Sequence, residues 1–478
     1  MGVPRCRLPG RFYAAKWTTI LCGIFLTSLL LVFTTSVSDK NRTQSIATFY
    51  EKQLRYYNRK VNIGMDTLKH LDEHTGITVE LLKQKPKRTL DGNDKRESSA
   101  ANNWFHTPVE NKWQSVTRNG DFIVYSAYFG QDTHSKQTKV VRVIGLFDDG
   151  CSAKKVDCPI GDEVSCIFLY RDADFRLVTA SDFKIYPDHH FTRFKPFTIT
   201  CALPDDILPE QVSVVNLKRP EFPPLNNVTI SYSSLNTNPS RRFTMCLSPL
   251  HGETVSEAEL VQYIELNADY FLIYTGHDFQ SNRSSALEHY RSQGIVEFVP
   301  WELHPLLREI NAVWYYAQMS MLNDCVFRNK GLSKYVITTD LDEFIIPRKH
   351  TNWSELLSAQ PEACEYQIRS VVMVKGNASK TINGKAHVPN NSKCLEEIGQ
   401  GKQSLCSLCK QYRRNYIYGY NDRSKYIINP ECMFIAGVHF NHVVIPTKSS
   451  SLKVVYVPVS TALVNHYMNE SRLPATVG

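Results

Sequence analysis

Between Phe243 and Thr339 the chain alternates strand-like and helix-like stretches, and that alternation leaves few folds open. FTMCL (243–247), DYFLIYT (269–275), IVEFVP (295–300) and KYVITT (334–339) are short runs rich in β-branched and aromatic residues. Between them Glu253–Asn267, Arg283–Gln293 and Ile310–Arg328 read as helices. In the last, Ile310, Val313, Trp314, Ala317 and Met321 recur at helical spacing. Strands joined through helices build right-handed βαβ units, so this part is expected to be α/β with a mostly parallel sheet and helices on both faces. It has no GxGxxG fingerprint and no internal repeat. In such sheets ligands bind at the carboxyl ends of the strands.

Upstream the rhythm differs. From GDFIVYSAYFG (120–130) to NVTISY (227–232), seven short strand-like runs follow one another with turn residues between them and no helical stretch. They predict an antiparallel β-sandwich over 113–238, stapled by cysteines among Cys151, Cys158, Cys166 and Cys201. Residues 39–112 are polar, with a weak helical stretch at Ile46–Leu82, and read as a stem that cannot bury enough apolar surface to fold alone. Trp17–Ser38 is uncharged and mostly apolar, long enough to span a bilayer as a helix. Arg5, Arg7, Arg11 and Lys16 precede it without an acid, which places the tail, 1–16, in the cytosol and the rest in a lumen. A cleaved signal peptide is the alternative.

Glycosylation sequons and cysteines agree with a luminal fate. Sequons begin at Asn41, Asn227, Asn282, Asn352, Asn377, Asn390 and Asn469. Eleven cysteines lie beyond the apolar stretch, and in an oxidising lumen most should pair. Their odd number leaves at least one free or bridging to a second chain, so a homodimer, disulfide-linked or not, is compatible with it. Cys394, Cys406, Cys409 and Cys432 are enough for a structural zinc, but disulfides suit the compartment better. The net charge of +8 is spread out, and no basic stripe is interleaved with aromatics, which argues against nucleic-acid binding.

The sharpest chemical signal is TDLDEFIIP (339–347). An apolar strand runs into Asp340 and Asp342, spaced i and i+2, then Glu343, then apolar residues again. A solvated charge run would not be flanked so tightly. Carboxylates at a strand's end are hard oxygen ligands for Mg²⁺ or Mn²⁺, and such a metal can bridge a diphosphate. The plainer alternative is a turn capped by aspartates. An EF-hand is excluded, since its sixth position, which needs glycine, is Ile345.

YTGHDFQ (274–280), GIVEFVPWELHP (294–305), AQMSMLNDCVFRNKG (317–331) and KYVITTDLDEFIIP (334–347) together resemble glycosyltransferase family 92. The resemblance implies a GT-A-type, Rossmann-like domain over 239–478, preceded by a region similar to a carbohydrate-binding module. It implies a Golgi type II membrane protein whose luminal domain is an inverting, metal-dependent β-galactosyltransferase. The donor would be UDP-galactose with Mn²⁺ (or Mg²⁺), and the acceptor a glycan on a glycoprotein or glycolipid, such as terminal galactose or core fucose joined through a β-1,4 linkage.

By the same resemblance Asp340 and Asp342 would hold the metal, with His439 as a further ligand or His442 in its place. Tyr274 would stack on uracil, and Asn323, Asp324 and Arg328, on one helix before the acids, would serve the donor site. For the last three a helix-surface ion pair is an equal alternative, and for Tyr274 an ordinary core aromatic. His466 and Tyr467 resemble the family's closing His-Tyr pair, although Met468 stands where a basic residue is common. Trp301, Glu302 and His304 would line the sugar pocket. The general base is open among Glu343, Glu302, Glu365 and Glu431. The competing readings are a non-catalytic glycan-binding protein, a glycosidase, and a transferase with another UDP-sugar.

Overall fold

The computed structural model describes residues 112–467 apart from 133–137, 149–163, 172–174, 222, 252–256, 266–267, 277–278, 280–284, 310, 375–411 and 445–451. Every described residue belongs to one compact unit. The expected membrane anchor and stem, Cys151, Cys158, Cys394, Cys406 and Cys409, and five of the seven sequons lie outside the described residues. The other two, Asn227 and Asn352, are exposed. Among the described residues no helix is long and apolar enough to cross a membrane.

Nine strands fill residues 114–231: β1 (Gln114–Ser115), β2 (Phe122–Asp132), β3 (Thr138–Asp148), β4 (Val164–Leu169), β5 (Phe175–Thr179), β6 (Asp182–Ile185), β7 (Phe194–Ala202), β8 (Gln211–Asn216) and β9 (Val228–Ser231). Their order is β5-β4-β8-β9-β2-β3-β7-β6, with β1 against β2. All pairs are antiparallel except β2 with β9. β4 and β7 stand five places apart, which in a flat sheet is about 24 Å. Yet a Cys166–Cys201 disulfide joins them with the Cα atoms 6.3 Å apart. The sheet therefore folds over on itself, and Val124, Phe129, Val141, Phe168, Phe197 and Val214 fill one core between its halves.

The second sheet runs β12-β11-β10-β13-β18-β15-β21. β10 (Arg241–Leu250), β11 (Tyr270–Thr275), β12 (Val296–Pro300) and β13 (Ser333–Thr339) are parallel, as the alternation predicts. β18 (Lys425–Ile428) is antiparallel to β13 and to β15 (Ala363–Ile368), which lies parallel to β21 (Leu452–Val457). A smaller sheet, β14-β22-β16-β17, holds β14 (Glu343–Pro347), β22 (Ala462–His466), β16 (Ser370–Val374) and β17 (Tyr412–Ile417). β19 (Met433–Ile435) and β20 (Val443–Val444) form a separate pair.

Successive residues of a strand face opposite sides, so a sheet covered on both faces sorts its side chains into two cores. Phe243, Met245, Leu247, Phe271, Ile273 and Ile337 face the core that holds Leu260 and Tyr263 of the helix Glu257–Glu265, Leu287 of Ser285–Ser292 and Leu356 of Trp353–Ser358. Cys246, Leu272, Tyr274 and Val336 face the other core. There they meet the helix Gln318–Asn329, in which every residue but Arg328 is buried. A Cys246–Cys325 disulfide pins that helix to β10.

Trp113, Ile123, Tyr125, Leu146 and Phe194 of the β-rich region enter this same core. The change of rhythm near 238 thus marks a change of secondary structure within one packed body. Apolar packing is continuous across it because the buried helix has neighbours on both sides. Cys432 is paired with Cys364, which removes it from the four-cysteine zinc grouping.

One expected helix is shorter than its spacing predicts. Ile310–Arg328 becomes a 3₁₀ turn, Trp314–Ala317, followed by the helix from Gln318. Tyr315, Tyr316 and Ala317 take left-handed backbone angles, at φ 40°, 55° and 61°. The carbonyls that a helix would use internally serve other partners. Phe194 N–H donates to Ala312 O at 2.7 Å and Trp301 Nε1 to Tyr316 O at 2.8 Å. Tertiary bonds here outweigh a periodic apolar pattern, at a conformational cost of about 1–3 kcal/mol per strained residue.

Candidate active site

Strand β13 ends at Thr339 and places Asp340 at the carboxyl edge of the parallel strands, beside Ser248 of β10. Asp340 accepts from Ser248 Oγ at 2.6 Å and from Gln318 Nε2 at 3.3 Å, both through Oδ1. Gln318 also donates to Ser248 Oγ at 2.9 Å. The turn that follows is closed twice. Glu343 N–H donates to Asp340 O at 3.0 Å, and Asp340 N–H to Glu343 Oε2 at 3.1 Å.

Lys425 completes this arrangement. Continuing the antiparallel register of β18 on β13 sets Lys425 opposite Thr339. Its ammonium lies 3.2 Å from Asp340 Oδ2 and 2.8 Å from Glu343 Oε2, with the side chain 2% exposed. Burial alone would favour the neutral amine, but the two carboxylates hold its pKa above the ordinary lysine value. Burial pushes Asp340 up, and Lys425 with the Ser248 hydroxyl outweighs it, leaving Asp340 below the usual carboxylate range. Glu343 lies above its ordinary value because burial exceeds the opposing pull of Lys425. Glu343 is thus shut in behind the turn, a positioning group rather than one open to an acceptor.

Asp342 is the open acid, with 41% of its side chain exposed. It is steered from the smaller sheet. β22 pairs with β14 so that His466 stands opposite Glu343. His466 Nε2 lies 3.4 Å from Asp342 Oδ2, its Nδ1 lies 3.5 Å from Glu343 Oε1, and Tyr467 N–H donates to Asp342 O at 2.8 Å. Burial lowers the His466 pKa, but the neighbouring carboxylates win and raise it above the ordinary value. His466 and Tyr467 are therefore both at the acid turn; Met468 lies outside the described residues.

His439 feels the charges of the acid turn. Burial, then the Lys425 ammonium, brings its pKa down to about 4 against the pull of Asp340. Its Nδ1 is 3.3 Å from Ser424 O. His442 is committed elsewhere, with Nε2 2.8 Å from Asp188 Oδ2 of the β-rich region. Among the described residues no group of three or more His, Cys, Asp and Glu side chains is placed to hold a metal ion, so His439 does not join Asp340 and Asp342 in a three-residue set. The donor chemistry fits Mg²⁺ or Mn²⁺ bound in the other way, by one or two carboxylates with the remaining oxygens from substrate phosphates. Asp342 offers the accessible oxygens, and Asp340 is braced beside it.

The structure brings Tyr274, Asn323, Asp324 and Arg328 together, but inside the core rather than on a donor surface. Tyr274 is fully buried, and its hydroxyl donates to Asp324 Oδ2 at 2.6 Å. Tyr128 OH donates to Asp324 Oδ1 at 2.6 Å, and Arg328 Nη2 is 3.2 Å from Oδ2. Asn323 bonds Ala436 in both directions, with N–H to Oδ1 at 2.9 Å and Nδ2 to O at 3.2 Å. Tyr274 cannot stack on a base from this position. The four instead tie the buried helix to the β-rich region and the loop after β19, because a buried charge needs a partner. Tyr274→Phe is expected to lower unfolding stability by about 2 kcal/mol, one bond to a charged group, and to leave nucleotide affinity unchanged. Denaturant melts and calorimetry check both.

Trp301 is likewise buried, edge-on to Tyr125, Tyr274 and Trp113. Glu302 is exposed and His304 half-buried. Among the other carboxylates, Glu431 accepts from Gly331 N–H at 2.7 Å and is a structural cap. Glu365 is buried in β15, and burial lifts its pKa to about 7 against the hydrogen bonds from Asn441. The folded protein therefore holds this proton above the pH at which the unfolded chain loses it. Stability from this group is full below about pH 4.5 and is lost as pH rises through about 7. Glu365→Gln is expected to flatten that limb of the stability–pH curve, which thermal melts from pH 4 to 8 measure.

Sequence reasoning missed Ser248, Gln318 and Lys425. Only Lys425 left a trace, as a lone charge heading the apolar run KYII.

Residues 241–474 match the model of glycosyltransferase family 92. A beta-1,4-galactosyltransferase of Caenorhabditis elegans, galt-1, is 25% identical over 252 residues, 50% of this chain and 55% of that protein. The chain thus spans about half the length of the curated relative it matches. HddC from Yersinia pseudotuberculosis aligns over 45% of this chain and 90% of its own, at 9% identity and a TM-score of 0.24. A 4-diphosphocytidyl-2C-methyl-D-erythritol synthase from Anaerococcus prevotii aligns over 46% and 89%, at 9% and 0.20. Overlaps this slight carry no argument. The matched segment contains β10, β13, the acid turn, Lys425 and His466. Residues 241–474 are thus a glycosyltransferase family 92 domain.

Proposed function

We propose that the protein is a metal-dependent, inverting galactosyltransferase that moves galactose from UDP-galactose to a glycan acceptor with a β linkage, in the Golgi lumen. The observation that carries this reading is the acid turn. It lies at the carboxyl edge of four parallel strands, with Asp342 open and Asp340 braced by Ser248, Gln318 and Lys425. Its place within the family 92 match, and the beta-1,4-galactosyltransferase name of the C. elegans relative, support the reaction class and a β-1,4 linkage. The parallel half of the sheet is read as the nucleotide-binding half of a GT-A domain.

Asp342 and Asp340 would hold Mn²⁺ or Mg²⁺, the remaining oxygens coming from the donor's phosphates. When bound, the metal supplies charge that stabilises the departing UDP. Lys425 keeps Asp340 ionised without drawing on solvent, and His466 fixes the orientation of Asp342. Burial of Glu343 behind the turn fits a role in setting its shape. The apolar stretch Trp17–Ser38 would anchor the chain as a type II membrane protein.

Calorimetric titration of the full-length protein with UDP tests the donor reading. Binding is expected with Mn²⁺ and is expected to be lost with EDTA. Equal affinity in both conditions would remove the metal from the account.

A further inference from the structure

Exposed aromatic rings gather on two loops, one of which runs directly into Gln318, a residue that bonds Asp340. Trp314, Tyr315 and Tyr316 are each more than 40% exposed, and Phe191 is 71% exposed. Isolated exposed aromatics are ordinary, but a contiguous group on one face marks a contact surface. His190 stacks on Trp314 with ring centroids 3.9 Å apart, and His251 stacks on Tyr316 at 3.6 Å.

The backbone beneath these rings is fixed in an uncommon shape. His190, Phe191, Asn311, Tyr315, Tyr316 and Ala317 all have positive φ, between 40° and 61°. Such angles persist only where the surroundings impose them, and they gather at binding sites. Here Phe194 N–H donates to Ala312 O at 2.7 Å, Arg193 Nη1 reaches Glu309 at 2.9 Å, and Trp301 Nε1 holds Tyr316 O at 2.8 Å. Two strained loops, one from each region of the chain, are thereby locked side by side.

The platform is joined to the acid turn by two short paths. Ser248 and Gln318 both touch Asp340. His251 follows Ser248 by three residues, a reach of at most about 11 Å, and Tyr316 precedes Gln318 by two. The stacked His251–Tyr316 pair closes the loop between those paths.

We propose that Trp314, Tyr315 and Phe191, held by His190 and the stacked His251–Tyr316 pair, form a saccharide-binding platform that seats the acceptor glycan beside the acid turn. The assignment as an acceptor subsite rests on the transferase reading given above; saccharide binding itself does not. A pyranose ring offers an apolar face of C–H groups that packs on an aromatic ring while its hydroxyls stay in water. A platform whose backbone is already fixed loses little freedom on binding such a ligand. The indole and tyrosine faces carry no charge to recruit a nucleotide's phosphates, so the ligand that suits them is a neutral sugar.

The test is calorimetric titration of the full-length protein with a biantennary N-glycan ending in galactose, without nucleotide or metal. Saturable binding is expected. Trp314→Ala and Phe191→Ala should each weaken it about tenfold or more, as loss of an aromatic anchor does. Trp314→Phe should retain most of it, and the near-ultraviolet circular dichroism and melting of each variant should match the parent. No saturable binding by the parent, or affinity unchanged in both alanine variants, overturns the proposal. UDP titrations on the same samples separate the two readings. A protein that binds the glycan through Trp314 but never binds UDP keeps the platform and loses the transferase.

Discussion

Asp342→Asn is expected to lower sugar transfer by about 10²–10³-fold or more, the loss typical of removing one group that stabilises transition-state charge, while the protein stays folded. The expectation follows from how the two acids differ. Asp340, 30% exposed, is bonded by Ser248 and Gln318 and paired with Lys425. Asp342 has 41% of its side chain exposed, and its carboxylate lies 3.4 Å from His466 Nε2. Its amide replacement removes a charge where the leaving diphosphate must be met, yet disturbs no buried pair. Thermal melting of the variant should fall within a few degrees of the parent, and kcat/KM from transfer assays should carry the defect. Undiminished transfer in Asp342→Asn would sink the proposed metal role of the turn.

Lys425→Met should act in the opposite way, first on stability. The ammonium is buried between Asp340 and Glu343, and Glu343 is itself buried. Removing one partner of a buried ion pair leaves an uncompensated charge and costs about 3–5 kcal/mol. Glu343 would respond by taking up a proton, and Asp340 would lose the group that keeps its pKa low. The double variant Lys425→Met/Glu343→Gln should recover part of the stability, because the second change removes the stranded charge. It should not recover transfer if a fixed cation beside Asp340 is required. Denaturant melts of the two single variants and the double variant measure the coupling directly. Additive effects would show that the pair observed across 2.8 Å is energetically idle.

Local pattern carried much of the fold. The four parallel strands β10, β11, β12 and β13 were legible because each is a short, mostly apolar run between helical stretches, and strands buried on both faces, as β10, β11 and β13 largely are, read as near-continuous apolar segments. The acid turn was legible because charges are rare at the end of such a strand. What the sequence hid was set by contacts far apart along the chain. The Lys425–Asp340 contact joins residues 85 positions apart, and the Tyr128–Asp324 bond spans 196. The same distance effect left Tyr274 open between a donor-site aromatic and a core aromatic, and the structure has it in the core. At a strand's carboxyl end it resembles a donor-site aromatic, and only the approach of Tyr128 and the buried helix turns it into a core hydrogen-bond donor. The helix break before Gln318 is of this kind too, since no local signal reveals that Ala312 O and Tyr316 O would be taken by Phe194 and Trp301.

The central claim is metal-dependent transfer of galactose, and one measurement meets it directly. The purified full-length chain is given radiolabelled UDP-galactose and a panel of N-glycans, in Mn²⁺ or in EDTA, and labelled product is counted. The account predicts label on a glycan in Mn²⁺ and none in EDTA. A folded protein that transfers nothing in Mn²⁺, or transfers equally well in EDTA, would contradict it.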